Sequence, residues 1–447
     1  MSDAAQLADQ AVSVLSGMKL EAEVYLEDNA ITSVSVSGGR VESLEMKEER
    51  GAGIRVFDGG RVGFAYTADL GAGAVRSAAS AAKAFAAHID PEASNRIPRP
   101  EPSNLPDPEP GDLSVGRLEA YRKTAIARAM EEAARAVDPR ITRVRQARYT
   151  DVVGRVEIRN TTGLSRGAPF ARIYGAMELQ AEQNGELQSG YASDFALKFG
   201  GLDPFKIGRE AARRALAKLG GVRAPTQRAD IVFDPEVTGG LLEALSPTLS
   251  ADSVLKGKSI MAARLGQRVG AASVDLVDDG RFPGGNRTFP FDGEGNPTKR
   301  VALIEGGILR GYLHNVYTAA KMGCPPTGNG FRSSYAGPPR ISTNMIYLVP
   351  SAATREEILS RVRKGFWISE VMGLHTIDPI TGEFSLGAFG HWIERGAVGG
   401  PVTGIGLAGT LLELLGNVEG VASDLRLLPS GSAGSTVLVR NLSISGS

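Results

Sequence analysis

Short glycine turns set between runs that alternate apolar and polar residues constrain this chain most, because that pattern suits antiparallel hairpins. Residues 31–37 alternate with period two, Val34 and Val36 standing between serines. Gly38-Gly39 then turns the chain into a segment carrying Leu44 and Met46, and Asp58-Gly59 joins Ile54 and Val56 to Val62, Phe64 and Tyr66. The spacing predicts a meander of about four antiparallel strands. Further on, Glu305-Gly306-Gly307 separates residues 301–304 from 308–312, and residues 389–393 pair in pattern with 397–401, which predicts two more hairpins. With 56 glycines in the chain, sheet is expected to be extensive.

Helical spacing interrupts the strands. Residues 4–18 and 75–87 read as helices, and a third, for which Ser114 is a candidate cap, carries Ile126, Met130, Ala133 and Val137 on a face expected to lie on the sheet. Asp203-Pro204 opens a fourth, striped by Ile207, Ala211, Ala215 and Leu219 and ended by Gly220-Gly221. Between the second and third, prolines at 98, 100, 102, 106, 108 and 110 predict an extended, exposed connector. A chain of 447 residues exceeds what one core organises, so two domains are expected. The boundary falls in residues 222–228, around Pro225, dividing the chain into 1–222 and 223–447. Helices are shorter and fewer in the second half, and no repeat of solenoid length is present.

Lysine plus arginine and aspartate plus glutamate each number 50, so no basic excess is available to displace counterions from nucleic acid. Direct nucleic-acid binding is not expected. The single cysteine, Cys324, has no partner in the chain for a disulfide, and Met1-Ser2-Asp3 opens with neither the basic start nor the apolar run of a signal peptide. No stretch is apolar for long enough to form a membrane-spanning helix. These features predict a cytoplasmic protein.

Four histidines, at 88, 314, 375 and 391, limit the metal chemistry available. None is paired one helical turn from another beside a glutamate, the arrangement that lets a zinc ion and a general base share one water. His375 and His391 lie near Asp378, Glu383 and Glu394, which leaves a loop-built site as an alternative to solvated side chains. Cys324 and His314 offer a thiol and a base, though the cysteine sits in a Gly-Cys-Pro-Pro turn. Residues 404–409 match G-x-G-x-x-G ahead of an apolar run at 411–415, but too little chain follows for a dinucleotide fold.

The most specific segment is the last: Val371-Met372-Gly373-Leu374-His375, Asp378-Pro379-Ile380-Thr381-Gly382-Glu383-Phe384-Ser385, Gly387-Ala388-Phe389-Gly390 and Ile393-Glu394-Arg395-Gly396, closing with Ser423-Asp424-Leu425 and Leu442-Ser443-Ile444-Ser445-Gly446. Together with Thr327-Gly328-Asn329-Gly330-Phe331-Arg332, Pro339-Arg340, Thr343-Asn344 and Lys258-Ser259, this order resembles the TldD/PmbA family of cytoplasmic peptidases, and within it the PmbA (TldE) type. Asp378 and Thr410 depart from the asparagines that similar sequences carry.

The resemblance implies an α+β protein: an N-terminal α/β domain of antiparallel sheet and long helices, joined to a larger β-rich C-terminal domain, in a dimer around a proteolytic chamber. It also implies two subunit types. The TldD type holds its metal with His-Glu-x-x-x-His on a helix and a cysteine near the C-terminus, and cleaves unfolded peptides. In this sequence the corresponding residues are Glu243, Ala244 and Thr248, and residues 429–435 contain no cysteine. The resemblance therefore implies a subunit without a metal or other cofactor of its own, zinc being carried by a TldD-like partner. Asn329, Arg332, Arg340 and Asn344 are candidates for contact with an extended peptide, which exposed strand edges could also pair. Two alternatives stand beside this reading: a homodimeric peptide-binding or scaffold protein, and a peptidase active alone through His375 and His391 or through Cys324. The family's link to modulation of DNA gyrase gains nothing from the neutral charge.

Overall fold

The computed structural model describes residues 3–446. An antiparallel sheet of six strands, β1 (Glu21–Ser37), β2 (Arg40–Asp58), β3 (Arg61–Thr67), β4 (Ile141–Asn160), β5 (Ser165–Gln183) and β6 (Glu186–Ala196), runs in the order β3-β2-β1-β4-β5-β6. The expected meander is therefore β1–β3 extended by three later strands. β1 begins ten residues before the alternation at 31–37, at Glu21.

That strand shows how the protein is layered. Successive side chains of a strand point to opposite faces, and Val24, Val34 and Val36 of β1 pack among helices, while Tyr25 packs with Ile158 of β4 and Phe291 of the second half. The helices α1 (Ala4–Gly17) and α2 (Ala72–Ala86) share a core with Ile54 and Val56 of β2. Farther along the sheet, α3 (Ala120–Arg135) and α4 (Pro204–Leu216) place Met130, Ile207, Ala211 and Ala215 against Tyr149, Ile173 and Met177. Asp203 caps α4, accepting from Lys206 N–H at 3.0 Å. Ser114 does not cap α3: Asp112 accepts from Ser114 N–H at 3.0 Å to start a short 3-10 turn, and α3 begins at Ala120. Charge also enters this core, where the Lys123 ammonium meets Asp151 at 2.8 Å.

The second half is built on a seven-stranded sheet, in which Gln227–Phe233 runs parallel to Lys364–Met372, followed by Glu383–Glu394 and Ala397–Thr410 in antiparallel hairpin order. Val437–Ser445 pairs with both Gln227–Phe233 and Ala397–Thr410, so five strands close on themselves. The two-residue strand Val222–Arg223 pairs with Val402 and Thr403, and the proposed division between residues 222 and 223 falls inside it. A further sheet of four strands includes Leu276–Asp279, Arg300–Glu305, Ile308–Leu309 and Ile346–Leu348. The helix α5 (Pro235–Leu245) packs into the core of this half through Val237, Leu241, Leu242 and Leu245.

Candidate functional site

Asp234 opens α5 by accepting from Glu236 N–H at 3.1 Å, with Pro235 at the first helical position. The α-helix ends at Leu245, and Ser246–Leu249 continues as a 3-10 turn containing Pro247. Glu243 therefore stands on α-helix, and Thr248 on a tighter turn. The Glu243 carboxylate accepts hydrogen bonds from Ser432 Oγ, at 2.5 Å, and from Ser430 Oγ. Ala244 packs against the hydrophobic core, and the buried Thr248 hydroxyl donates to the Leu245 carbonyl at 2.7 Å. The segment 429–435 thus lies against α5, closely enough that a Cβ on Gly434 would come within 1.8 Å of the Pro235 carbonyl oxygen.

Beside this junction, between the face of the first sheet opposite its helices and the second half, lies a cavity of about 560 Å³, within the range of small-molecule sites. Tyr25, Glu27, Phe170, Arg172 and Tyr174 line it from the sheet; residues 286–289, 291–293, 328–333, Ser342, Asn344 and Ser430 line it from the second half. Asn329 and Asn344 bind the buried Asp278: their amides donate to its Oδ2 at 2.6 and 3.2 Å, and Asn344 N–H donates to Oδ1 at 2.8 Å. Burial pushes the Asp278 carboxyl up to about 6, against the pull of those donors.

Arg332 lines the cavity but is committed to the fold. Its guanidinium pairs with Glu23 of β1 at 2.5 Å, donates to the Gly293 and Gly337 carbonyls at 2.7 and 3.1 Å, and covers the Tyr25 ring. Arg55 completes the cluster, bridging Glu23 at 2.8 Å and Glu294 at 2.9 Å. Two cations thus face two carboxylates. Asp292, next to them, is pushed up to about 7 by burial and then by the charge of Glu294, although N–H groups of Gly330, Glu294 and Asn296 donate to it. Arg340 lies outside the cavity, exposed on the short strand Arg340–Ile341. Neither Asp278 nor the Asp292–Glu294 turn was singled out in the sequence: an Asp-Gly-Glu-Gly run reads locally as a solvated turn.

His375 is exposed on a 3-10 turn, Leu374–Thr376, while His391 sits on Glu383–Glu394, its Nδ1 buried without a partner. Burial and the charge of Arg213 push His391 down. Neither belongs to a metal-binding group: no cluster of three His, Cys, Asp or Glu side chains with that capacity occurs among the described residues. Cys324 and His314 do meet, Sγ lying 3.6 Å from Nε2. Burial pushes the thiol up and the imidazole down, which favours a neutral pair over a thiolate nucleophile. Residues 404–409 lie in the antiparallel strand Ala397–Thr410, a context unlike a dinucleotide turn. No helix among the described residues is long and apolar enough to cross a membrane.

Compared with known proteins, residues 226–446 match the PmbA/TldA metallopeptidase C-terminal domain, residues 114–219 the central domain and residues 22–86 domain 1. The latter two matches lie on one sheet, β1–β3 falling in one and β4–β6 in the other. The chain is 27% identical over 437 residues to Metalloprotease PmbA of Escherichia coli O157:H7, covering 98% of this chain and 94% of that protein. It is also 27% identical over 438 residues to the Metalloprotease TldD homolog of Haemophilus influenzae, covering 94% and 89%. A crystal structure from Thermotoga maritima, named for modulation of a DNA gyrase, is similar with a TM-score of 0.90 at 26% identity, covering 98% of this chain and 99% of that one.

Proposed function

Because this chain belongs to the PmbA/TldA metallopeptidase family, we propose that it is the metal-free type of subunit, which joins a TldD-like metallopeptidase and supports that partner's cleavage of unfolded peptides. Equal identity to a PmbA and a TldD relative leaves the subunit type to individual positions. The observation that carries the reading is the Glu243 carboxylate, tied to Ser430 and Ser432 where the TldD type is expected to hold its metal.

The residues there do not fit a zinc ion. Zinc needs several deprotonated N, S or O ligands around one point, and Glu243 is joined only by two serine hydroxyls that it already binds. Ala244 has no group to take a proton from water, and the Thr248 hydroxyl is turned to its own helix. What this chain contributes is shape and binding. β3 and β6 end the six-stranded sheet; Arg214 and Lys218 donate to the Tyr191 and Ser189 carbonyls of β6, which leaves β3 as the edge to which an extended backbone can add. Arg340, exposed beside the cavity wall, is a further contact for such a chain.

The test uses the whole chain, purified alone after zinc has been supplied and then mixed with a TldD-like subunit from the same source. The reading expects negligible zinc and no peptidase activity from the chain alone, and faster cleavage of an unstructured peptide by the mixture than by the partner. Stoichiometric zinc that falls on His375→Ala or His391→Ala replacement overturns it. A stable homodimer that never exchanges with the partner in size-exclusion chromatography would favour the scaffold alternative.

A further inference from the structure

Each arginine on the cavity wall but one is saturated by the protein itself. Arg172 donates to the carbonyls of Pro110, Ala171, Asn286 and Thr288, and Arg332 is held by Glu23 and two carbonyls. Arg287 differs. Its one hydrogen bond runs from Nη2 to Ser342 Oγ at 3.2 Å, and no carboxylate among the described residues lies within 4.0 Å of it. A guanidinium has five N–H donors and stays charged in proteins, so this one is a cation in a cavity with most of its donors unused.

The position is built rather than incidental. The guanidinium carbon lies over the Phe331 ring, 4.5 Å from its centroid. Its stem passes Gly431, where φ is +96° and a Cβ would stand 1.9 Å from Arg287 Cδ, so no other residue leaves it that path. Asn329 supplies a second unused group. Its Nδ2 is spent on Asp278 and on the Ser342 carbonyl at 2.9 Å, and its Oδ1, buried, has no partner. Arg287 and Asn329 are therefore fastened to the hydroxyl and the carbonyl of one residue, Ser342, and of the two side chains Arg287 is the one that keeps open surface. Phe170, Phe289 and Phe291 add apolar wall.

We infer that this cavity is a binding site for a peptide carboxylate, from a C-terminus or an acidic side chain, with the carboxylate on Arg287 and the apolar part of the same peptide against Phe170, Phe289 and Phe291. A carboxylate matches the two-pronged guanidinium. Asp278 and Glu243 act on the Arg287 charge, and Glu27 and Asp292 share the cavity; all four are already held by protein donors, and burial pushes Asp278, Glu27 and Asp292 up, so none opposes the anion strongly. The site consists of this chain alone. Its ligand class draws on the peptide-handling reading above, but its test needs neither a partner nor zinc, so the two can fail separately.

Isothermal titration of the unaltered chain is the measurement, with four probes: a short N-acetylated peptide ending in phenylalanine as free acid, the same peptide as C-terminal amide, an amidated peptide of equal length with one glutamate, and inorganic phosphate. One of the two carboxylate peptides should bind roughly ten- to hundredfold tighter than the uncharged amide, the range for a charge-assisted hydrogen bond, and the tighter of the two identifies the source. R287Q should abolish that preference, with R287K between. Binding of both carboxylate peptides no tighter than the uncharged amide overturns the inference, as does binding of phosphate in preference to either carboxylate. The amide comparison needs no substitution, so it decides even if R287Q fails to fold.

Discussion

The Glu243 carboxylate accepts a hydrogen bond from the Ser432 hydroxyl at 2.5 Å, across 189 positions of sequence. It fastens α5 to the segment before the last strand, at the two places where a metal-holding relative is expected to keep its ligands. A carboxylate and two hydroxyls form a neutral-donor hydrogen-bond cluster that needs no ion.

Glu243→Ala should therefore lower stability without changing metal content. It leaves the hydroxyls of Ser430 and the buried Ser432 without their acceptor, a loss of about 1–3 kcal/mol. Urea unfolding followed together with elemental analysis checks both halves of this expectation. A fall in bound zinc on this replacement would mean that Glu243 is a ligand.

The Arg332 and Glu23 pair should behave as a clamp between the first sheet and the second half. Arg332→Met leaves Glu23 buried with one cation fewer, at a cost of about 3–5 kcal/mol. Adding Glu23→Gln should recover part of that loss, because Arg55 is then left facing one carboxylate, Glu294, instead of two. A double-mutant cycle by urea unfolding measures the coupling; additive losses would show that the pair acts through packing alone.

Stability should carry a pH dependence set by buried carboxyls. Asp292 is raised from 3.8 to about 7 and Asp278 from 3.8 to about 6, so between these limits the folded protein binds more protons than the unfolded chain. Their contribution is full below the unfolded value and is lost as pH rises through the folded one. Asp292→Asn cannot deprotonate, so the variant should gain in Tm relative to the parent as pH goes from about 5 to about 8. A difference in Tm that is constant with pH would contradict the raised Asp292.

Cys324 should react slowly. With its thiol pushed up and His314 pushed down by burial, alkylation by iodoacetamide should rise only towards alkaline pH, and Cys324→Ser should leave any peptide hydrolysis unchanged. An alkylation inflection near neutrality would instead reveal a thiolate–imidazolium pair and reopen catalysis by this chain alone.

The expectations that held were those carried by short-range pattern. Gly38-Gly39 and Asp58-Gly59 turn hairpins, Asp203-Pro204 opens α4, and Ile207, Ala211 and Ala215 are buried along it. Where a side chain serves something distant, the pattern was silent: residues 21–30 were not assigned to the strand, and Glu23 gains its meaning only from Arg55 and Arg332. Asn329 and Arg332, singled out as candidates for peptide contact, also hold Asp278 and Glu23, roles with no local signal. Arg287, in a glycine-rich stretch with no periodicity, offered no local signal.

What the sequence by itself determined is the family, the hairpins and long helices of the first half, and the absence of a His-Glu-x-x-x-His run, since each depends on residues within a few positions of one another. Only the tertiary structure decided that Glu243 meets Ser430 and Ser432, that Arg332 is spent on Glu23, and that Arg287 is left facing a cavity. The reason is physical: the cost of burying a charge or a polar atom depends on which partner the fold brings to it, and these partners come from segments far apart in the chain.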